Sequence, residues 1–351
     1  MYADELANVN TTVPALLPGQ SVVSRSQRVA TNEDNYPVVS PILADVHWGQ
    51  NKPFNNQCPT ISGQKTPTGC VATALAQIMY KHQYPQHGVG SHSYVSTTHG
   101  ISRSANFEAT TYEWAKMLPD YSTSYTTQQA NAVATLLSHL GVSCEMDYTP
   151  ESSGAYDNIA LRNLTTYFDY DKGLQALPKD YLTEKYMLDC IAEDLQAGRP
   201  VYITGSTVNK EGHAFVCDGM QSNGYLHINW GWDGYADGYF AVSALDPEIH
   251  GTGGSSSGLA FTQRVMAYTG VRPNIGGDSI SVITVDALNR TSADKIARTD
   301  KIHYELPVFY NQGIFTATGH VVGIIYDAND TAIDTIMIGD VSLPSSYYYT
   351  N

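Results

Sequence analysis

The chain has 351 residues, 19 Lys plus Arg against 34 Asp plus Glu, and a formal net charge of -15. That length predicts about two domains, and the acidic, scattered charge argues against nucleic acid or an anionic membrane surface as a partner. No apolar run is long enough for a transmembrane helix.

With 25 tyrosines, 29 glycines and 15% charged residues, the surface reads as polar but uncharged, as in exported proteins. Met1-Tyr2-Ala3-Asp4 lacks the basic and then apolar run of a signal peptide, so an exported chain would have lost its signal. The five cysteines, Cys58, Cys70, Cys144, Cys190 and Cys217, form no C-x-x-C pair, which argues against structural zinc. Their odd number leaves a thiol free in a monomer. Cys70 is expected free and the others mostly buried.

Residues 1–36 read as an extended lead-in rich in Ser, Thr, Asn and Val, with Arg25 and Arg28 as candidate processing positions. From Pro37 the chain leads through His47-Trp48-Gly49-Gln50-Asn51 into a loop rich in Pro, Asn and Gln. A glutamine can aim a side-chain N–H at a developing oxyanion. Taken alone, Gln50 reads as a surface residue.

Next comes Thr68-Gly69-Cys70-Val71-Ala72-Thr73-Ala74-Leu75-Ala76-Gln77-Ile78-Met79. Val71, Ala74, Leu75, Ile78 and Met79 recur on one helical face. Thr68 offers an N-cap, Gly69 a sharp turn and Pro85 a downstream limit. Cys70 therefore opens the helix, where the dipole and unpaired N–H groups are expected to favour thiolate, the nucleophilic form.

Gly88 to Arg103 reads as a hairpin or loop. Helical patterns follow at Thr127 to Gly141, with Gly141 as stop, at Tyr156 to Phe168, and at Leu182 to Ala197, with Gly198 as stop. The pattern then turns β, at Pro200 to Gly205, His213 to Gly219 and Gly224 to Trp230. Gln221-Ser222-Asn223-Gly224 makes the last two a hairpin. A glycine-rich loop, Gly251 to Gly258, precedes a closing strand in Leu259 to Val271. Arg272-Pro273-Asn274-Ile275-Gly276-Gly277 reads as an exposed linker to a separate all-β, sandwich-like module. That module ends abruptly at Tyr347-Tyr348-Tyr349-Thr350-Asn351 and reads as cut short.

A cysteine nucleophile needs a base that takes its proton and later protonates the leaving amine. Of eleven histidines, His213 is the best candidate, since it opens a strand and shares a face with Phe215 and Cys217. Asn229 on the partner strand could orient the imidazole, although the hairpin register stays open. Trp230 and Trp232 could shield that bond from water. Read singly, these are a core histidine, a strand-end asparagine and two core tryptophans.

Together they match something known. The Thr68 to Met79 segment followed by Tyr84-Pro85 resembles the nucleophile segment of the streptopain/interpain family of bacterial papain-like cysteine peptidases. Gly212-His213-Ala214-Phe215-Val216 with Asp218-Gly219, then Asn229-Trp230-Gly231-Trp232, resembles that family's histidine strand and Asn-Trp-Gly-Trp motif. Trp48-Gly49-Gln50 resembles its oxyanion segment, and Gly251 to Gly258 its glycine-rich active-site loop.

The resemblance covers roughly residues 37–272. It implies an α+β papain-like fold, with a helical half carrying Cys70 and a β half carrying His213. It implies Cys70 as nucleophile and His213 as general base and acid. Gln50 and the Cys70 N–H would form the oxyanion hole, and Asn229 with Trp230 would orient the imidazole. Trp232, Gly253 and Gly254 are expected to touch substrate. The domains expected are a lead-in or propeptide remnant at 1–36, a catalytic domain at 37–273 and a C-terminal β module at 274–351.

The implied activity is that of a secreted or cell-surface thiol endopeptidase, made as a zymogen and associated with virulence. It would take an extended peptide with an apolar residue second before the cut, and neither metal nor organic cofactor is implied. The β module offers a surface for carbohydrate or protein contact. Two rivals use the same residues differently: an acyl transferase or amidase running the same acyl-enzyme, and an adhesin with a vestigial catalytic half.

Overall fold

The computed structural model describes residues 35–247, 250–252, 260–285, 289–290, 304–305, 308–326 and 331–345. The expected lead-in, apart from its last two residues, and both Gly253 and Gly254 lie outside these residues.

Four α-helices occur among the described residues: α1 Cys70–His82, α2 Thr127–Ser143, α3 Asp157–Tyr167 and α4 Glu184–Gln196. Side chains cap two of them. Thr126 Oγ1 accepts the Gln129 N–H at 3.2 Å while Gln129 Oε1 accepts the Thr126 N–H at 2.7 Å, a reciprocal capping box on α2. Thr183 accepts from the Tyr186 N–H at the start of α4. Each such cap contributes about 1 kcal/mol. Gly141, expected to stop α2, lies inside it instead. A Cβ there would stand 2.0 Å from Tyr148 Oη, so its role is close packing.

The central sheet has six strands: β1 Gln175–Pro178, β2 Val201–Ser206, β3 Gly212–Met220, β4 Leu226–Asn229, β5 Gly238–Phe240 and β6 Gln263–Thr269. Its order is β5-β4-β3-β2-β6-β1, and every neighbouring pair is antiparallel. Side-chain alternation along a strand divides the core in two. Tyr202, Ala214, Val216 and Tyr268 join the cluster of α1, α2 and α3 on one face. Val201, Ile203, Phe215, Cys217 and Ala267 join Met187, Ile191 and Leu195 of α4 on the other. The α1 face supplies Val71, Leu75, Ile78 and Met79, all buried. Burial of each such side chain contributes roughly 1.5–3 kcal/mol.

The stretch 272–277 is exposed at Asn274, Ile275 and Gly276, as a linker would be, yet it is tied down by hydrogen bonds. Buried Asp171 accepts the N–H groups of Gly173, Ile275 and Gly277 at 2.8, 2.9 and 3.0 Å. Its burial raises the carboxyl's pKa, but these three bonds and Arg272 outweigh it, so the group ends below its ordinary range. Asn274 adds a side-chain bond to Asp169.

Beyond it, Ile283–Val285 pairs with Phe309–Asn311, and Ala317–Tyr326 with Ala332–Leu343. Ile314 lies buried in the α1–α3 cluster, with Val282 and Phe315 packed against it. The Asn158 side chain on α3 bonds Ser345 Oγ at 3.1 Å.

Candidate active site

Cys70 is the first residue of α1 because Gly69 turns the chain with φ 88 and ψ 140. Only glycine fits there. The positive φ disfavours a side chain, and a Cβ would meet Met146 Sδ at 2.5 Å. Thr68 is not the expected cap. Its Oγ1 lies 2.8 Å from Thr73 Oγ1, whose own proton goes to the Gly69 carbonyl at 3.0 Å. No side chain caps the first turn of α1, so its N–H groups are not consumed by one.

Cys70 is half-buried and lines a cleft of about 820 Å³ together with His213 and Ala214. The thiol sits against the backbone N–H of Ala214, the residue that follows His213. Burial pushes the thiol up to about 11, and the charge of Asp157 acts the same way. The N–H groups of Ala214, Val71 and Cys70 itself pull it down and are outweighed. Burial therefore works against the thiolate expected of a helix start. Desolvation exceeds the pull of the helix terminus, and the proton needs an acceptor.

His213 is 2% exposed and stands at the start of β3. Its ring stacks on Trp232 at 4.8 Å and lies 5.3 Å from Phe261. Nε2 is 2.9 Å from the Trp230 carbonyl oxygen. A carbonyl only accepts, so Nε2 carries the proton and Nδ1 is the basic nitrogen.

The Asn229 side chain bonds to backbone on both of its amide atoms. A bulge between His227 and Ile228 sets the register, and Asn229 pairs with Val216, three residues along from His213. Its Nδ2 donates to the Val46 carbonyl at 2.8 Å, and its Oδ1 accepts the Gly231 N–H at 3.0 Å. The peptide group between Trp230 and Gly231 thus gives its N–H to Asn229 and its carbonyl to His213. Asn229 and His213 bond opposite sides of one peptide group.

The indole of Trp230 packs on Phe215 at 4.6 Å. Trp232 is buried and supports His213; it is not among the residues lining the cleft. Gln50 is 1% exposed, and its carbonyl accepts the Thr68 N–H at 3.0 Å, which ties it to the start of α1. Its Nε2 donates to the Thr252 carbonyl at 2.6 Å, leaving a second N–H on the same nitrogen. Gly251, at the described end of the glycine-rich loop, packs so closely on Trp232 that a Cβ would stand 2.4 Å from its Cγ.

Sequence reasoning missed Asp157, Thr252 and the Ala214 N–H. Asp157 lines the cleft and accepts a hydrogen bond from the Tyr202 hydroxyl. None of the three carries a local pattern that could have singled it out. The apolar part of the cleft is Val71, Ala155, Tyr156 and Ala214; Glu145, Asp147, Glu151, Asp157, Lys210, Glu211 and Arg264 bring charge, and most of the remainder is Ser, Thr and Gly. All five cysteines are free thiols. Among the described residues, no helix is long and apolar enough to cross a membrane, and no cluster of His, Cys, Asp and Glu could hold a metal ion.

A profile of the Peptidase C10 family matches residues 48–240. Streptopain of Streptococcus pyogenes is 34% identical over 262 residues, which are 69% of this chain and 65% of that protein. The chain thus spans less than two thirds of the streptopains it matches. The thiol protease/hemagglutinin PrtT of Porphyromonas gingivalis is 35% identical over 237 residues, 66% of this chain and 26% of that protein. Among solved structures, the active wild-type interpain A cysteine protease of Prevotella intermedia is similar with a TM-score of 0.62 and 35% identity, covering 70% of this chain and 100% of that one. A prointerpain A fragment from the same organism has a TM-score of 0.57 and 36% identity, covering 68% and 74%. The mixed helix and sheet architecture matches that of interpain A.

Proposed function

Because this chain belongs to the Peptidase C10 family, we propose that it is a cysteine endopeptidase working through a thioester on Cys70. The observation that carries the reading is the Cys70 thiol lying against the Ala214 N–H, in one cleft with His213. His213 Nδ1 takes the thiol proton as sulfur attacks the peptide carbonyl carbon. The carbonyl oxygen becomes an oxyanion, bonded by the Cys70 N–H and the second N–H of Gln50. His213 returns the proton to the leaving amine, and the thioester remains. Water, deprotonated by His213, then releases the acid and restores the thiol.

The Trp230 carbonyl, backed by Asn229, holds the imidazole and its developing charge. The apolar lining at Val71, Ala155, Tyr156 and Ala214 supports an apolar residue second before the cut. The relatives named thiol protease and streptopain support a thiol protease acting on protein substrates, and the prointerpain A likeness supports a zymogen. A secreted or surface location, a part in virulence and a C-terminal β module that contacts carbohydrate or protein belong to the same proposal.

Incubation with an epoxide-type cysteine-peptidase inhibitor should label Cys70, found by mass spectrometry, and should stop casein hydrolysis in the absence of added amine. Labelling elsewhere would rule out Cys70 as the nucleophile, and turnover only when an amine acceptor is supplied would replace this reading with an acyl transferase.

A further inference from the structure

Past Asn229 the chain leaves β4 and returns as β5 through Trp230 to Asp237. Four residues of this loop have positive φ: Gly231 at 72, Asp233 at 56, Gly234 at 79 and Ala236 at 62. Two of them are not glycine. Such backbone persists only where surrounding groups over-determine it. The last sheet pair before the loop is Ile228 with Gly238. Asp237 is the next residue, and its Oδ1 accepts the Trp230 N–H at 2.9 Å. A side chain here replaces the ladder bond that the loop does not make.

Trp230 is thus held at both of its polar backbone atoms, the N–H by Asp237 and the carbonyl by His213. We infer that Asp237 is a positioning residue for His213: by holding the Trp230 N–H it fixes where the Trp230 carbonyl stands, and with it the rotation of the imidazole. The inference rests on His213 being the base of the proposed reaction.

The surroundings support this. Burial pushes the Asp237 carboxyl up to about 6 against the pull of the Trp230 N–H. Three other titratable groups act on it: His227 of β4 and His47 lower it, and Asp218 of β3 raises it. Asp218 is committed elsewhere, to His227 Nδ1 at 2.6 Å and the Leu43 N–H at 2.7 Å. At neutral pH Asp237 is a carboxylate and a strong, charge-assisted acceptor. Below about 6 it protonates and the bond weakens.

The test compares the parent with Asp237→Ala and Asp237→Asn, measuring kcat and KM on a peptide across acid and neutral pH. Asp237→Ala should lower kcat by up to about a hundredfold with KM nearly unchanged, since a misplaced base costs the chemical step. Asp237→Asn keeps an accepting oxygen. A neutral acceptor, as the protonated acid is, it should recover only part of that loss at neutral pH and lack the parent's inflection near 6. Parental kcat in a folded Asp237→Ala, or equal losses in both variants, overturns the inference. If Asp237→Ala does not fold by circular dichroism, the pH profile of Asp237→Asn decides: inflection lost supports positioning, inflection retained overturns it. A parent that cleaves no peptide sinks the peptidase reading instead, and the pH profile of Cys70 alkylation then carries the same comparison.

Discussion

Cys70 takes its place from the chain immediately around it, whereas His213 takes its orientation from residues distant in sequence. Gly69, Thr68 and Thr73 set the start of α1 through a turn and two short-range hydrogen bonds. The His213 imidazole depends on the Trp230 carbonyl, 17 residues on, and on rings from Trp232 and Phe261. Behind Trp230 stand Asn229 and Asp237. The nucleophile's position is thus locally encoded, while burial works against its thiolate form. The base is held by a relay of backbone groups, and damage to that relay should cost turnover before it costs the fold.

The largest effects should come from the two reacting side chains. Cys70→Ala should remove peptide hydrolysis while the melting temperature stays near the parent's; persistent turnover would rule out Cys70. His213→Ala should be nearly as severe and should also expose the intrinsic thiol. Burial raises the Cys70 pKa, so the folded state favours the protonated form and thiolate appears only as pH rises toward about 11. Iodoacetamide alkylation of Cys70 in that variant should climb about tenfold per pH unit from neutral upward, while the parent reacts at neutral pH. An equal neutral-pH rate in both proteins would mean that His213 does not take the proton.

Gln50→Ala should lower kcat by about a hundred- to a thousandfold, the usual loss for one oxyanion donor. KM should hardly move, because that bond strengthens in the transition state. Damage confined to KM would make Gln50 a substrate-binding residue.

The relay offers a smaller effect. Asn229→Ala leaves the Gly231 N–H and the Val46 carbonyl without their partner, a loss of about 1–3 kcal/mol for each. With the peptide plane released, kcat should fall by up to about a hundredfold. Asn229→Asp keeps the acceptor for Gly231 and should retain more activity than Asn229→Ala. Equal kcat in the two would show that the Gly231 bond does not matter to His213.

Smallest in turnover should be a chain ending at Asn274. Each folded molecule should cleave a short peptide within a few-fold of the parent, since every residue of the proposed chemistry, and those that hold it, Asp237, Thr252 and Phe261 included, precede Asn274. Its melting temperature should fall, because Ile314 leaves the α1–α3 cluster and Asp171 loses two bonds. Buried Ile314 alone is worth roughly 1.5–3 kcal/mol. Unchanged melting would make the C-terminal strands an independent module.

What could be read before folding was periodic and local. The apolar spacing of α1, the glycine before Cys70 and the alternation of His213, Phe215 and Cys217 depend on neighbours three or four residues away, or two. So does the hairpin turn, where Gly224 takes φ 82 and its N–H reaches the Gln221 carbonyl. Such features are written in residue types, because helix and strand geometry convert spacing into faces.

The tertiary structure decided the rest. The bulge at His227 sets Asn229 opposite Val216, three residues from His213, and the imidazole meets the Trp230 backbone carbonyl; every residue has one, so no letter of the sequence marks it. Burial of Cys70 outweighed the helix terminus, and that depends on what packs above the thiol. The stretch 272–277 has the composition of a linker, yet Asp171, about a hundred residues earlier, binds it, with |i−j| of 104 to Ile275. Contacts at that separation are set by packing of the whole chain, which composition and spacing do not encode.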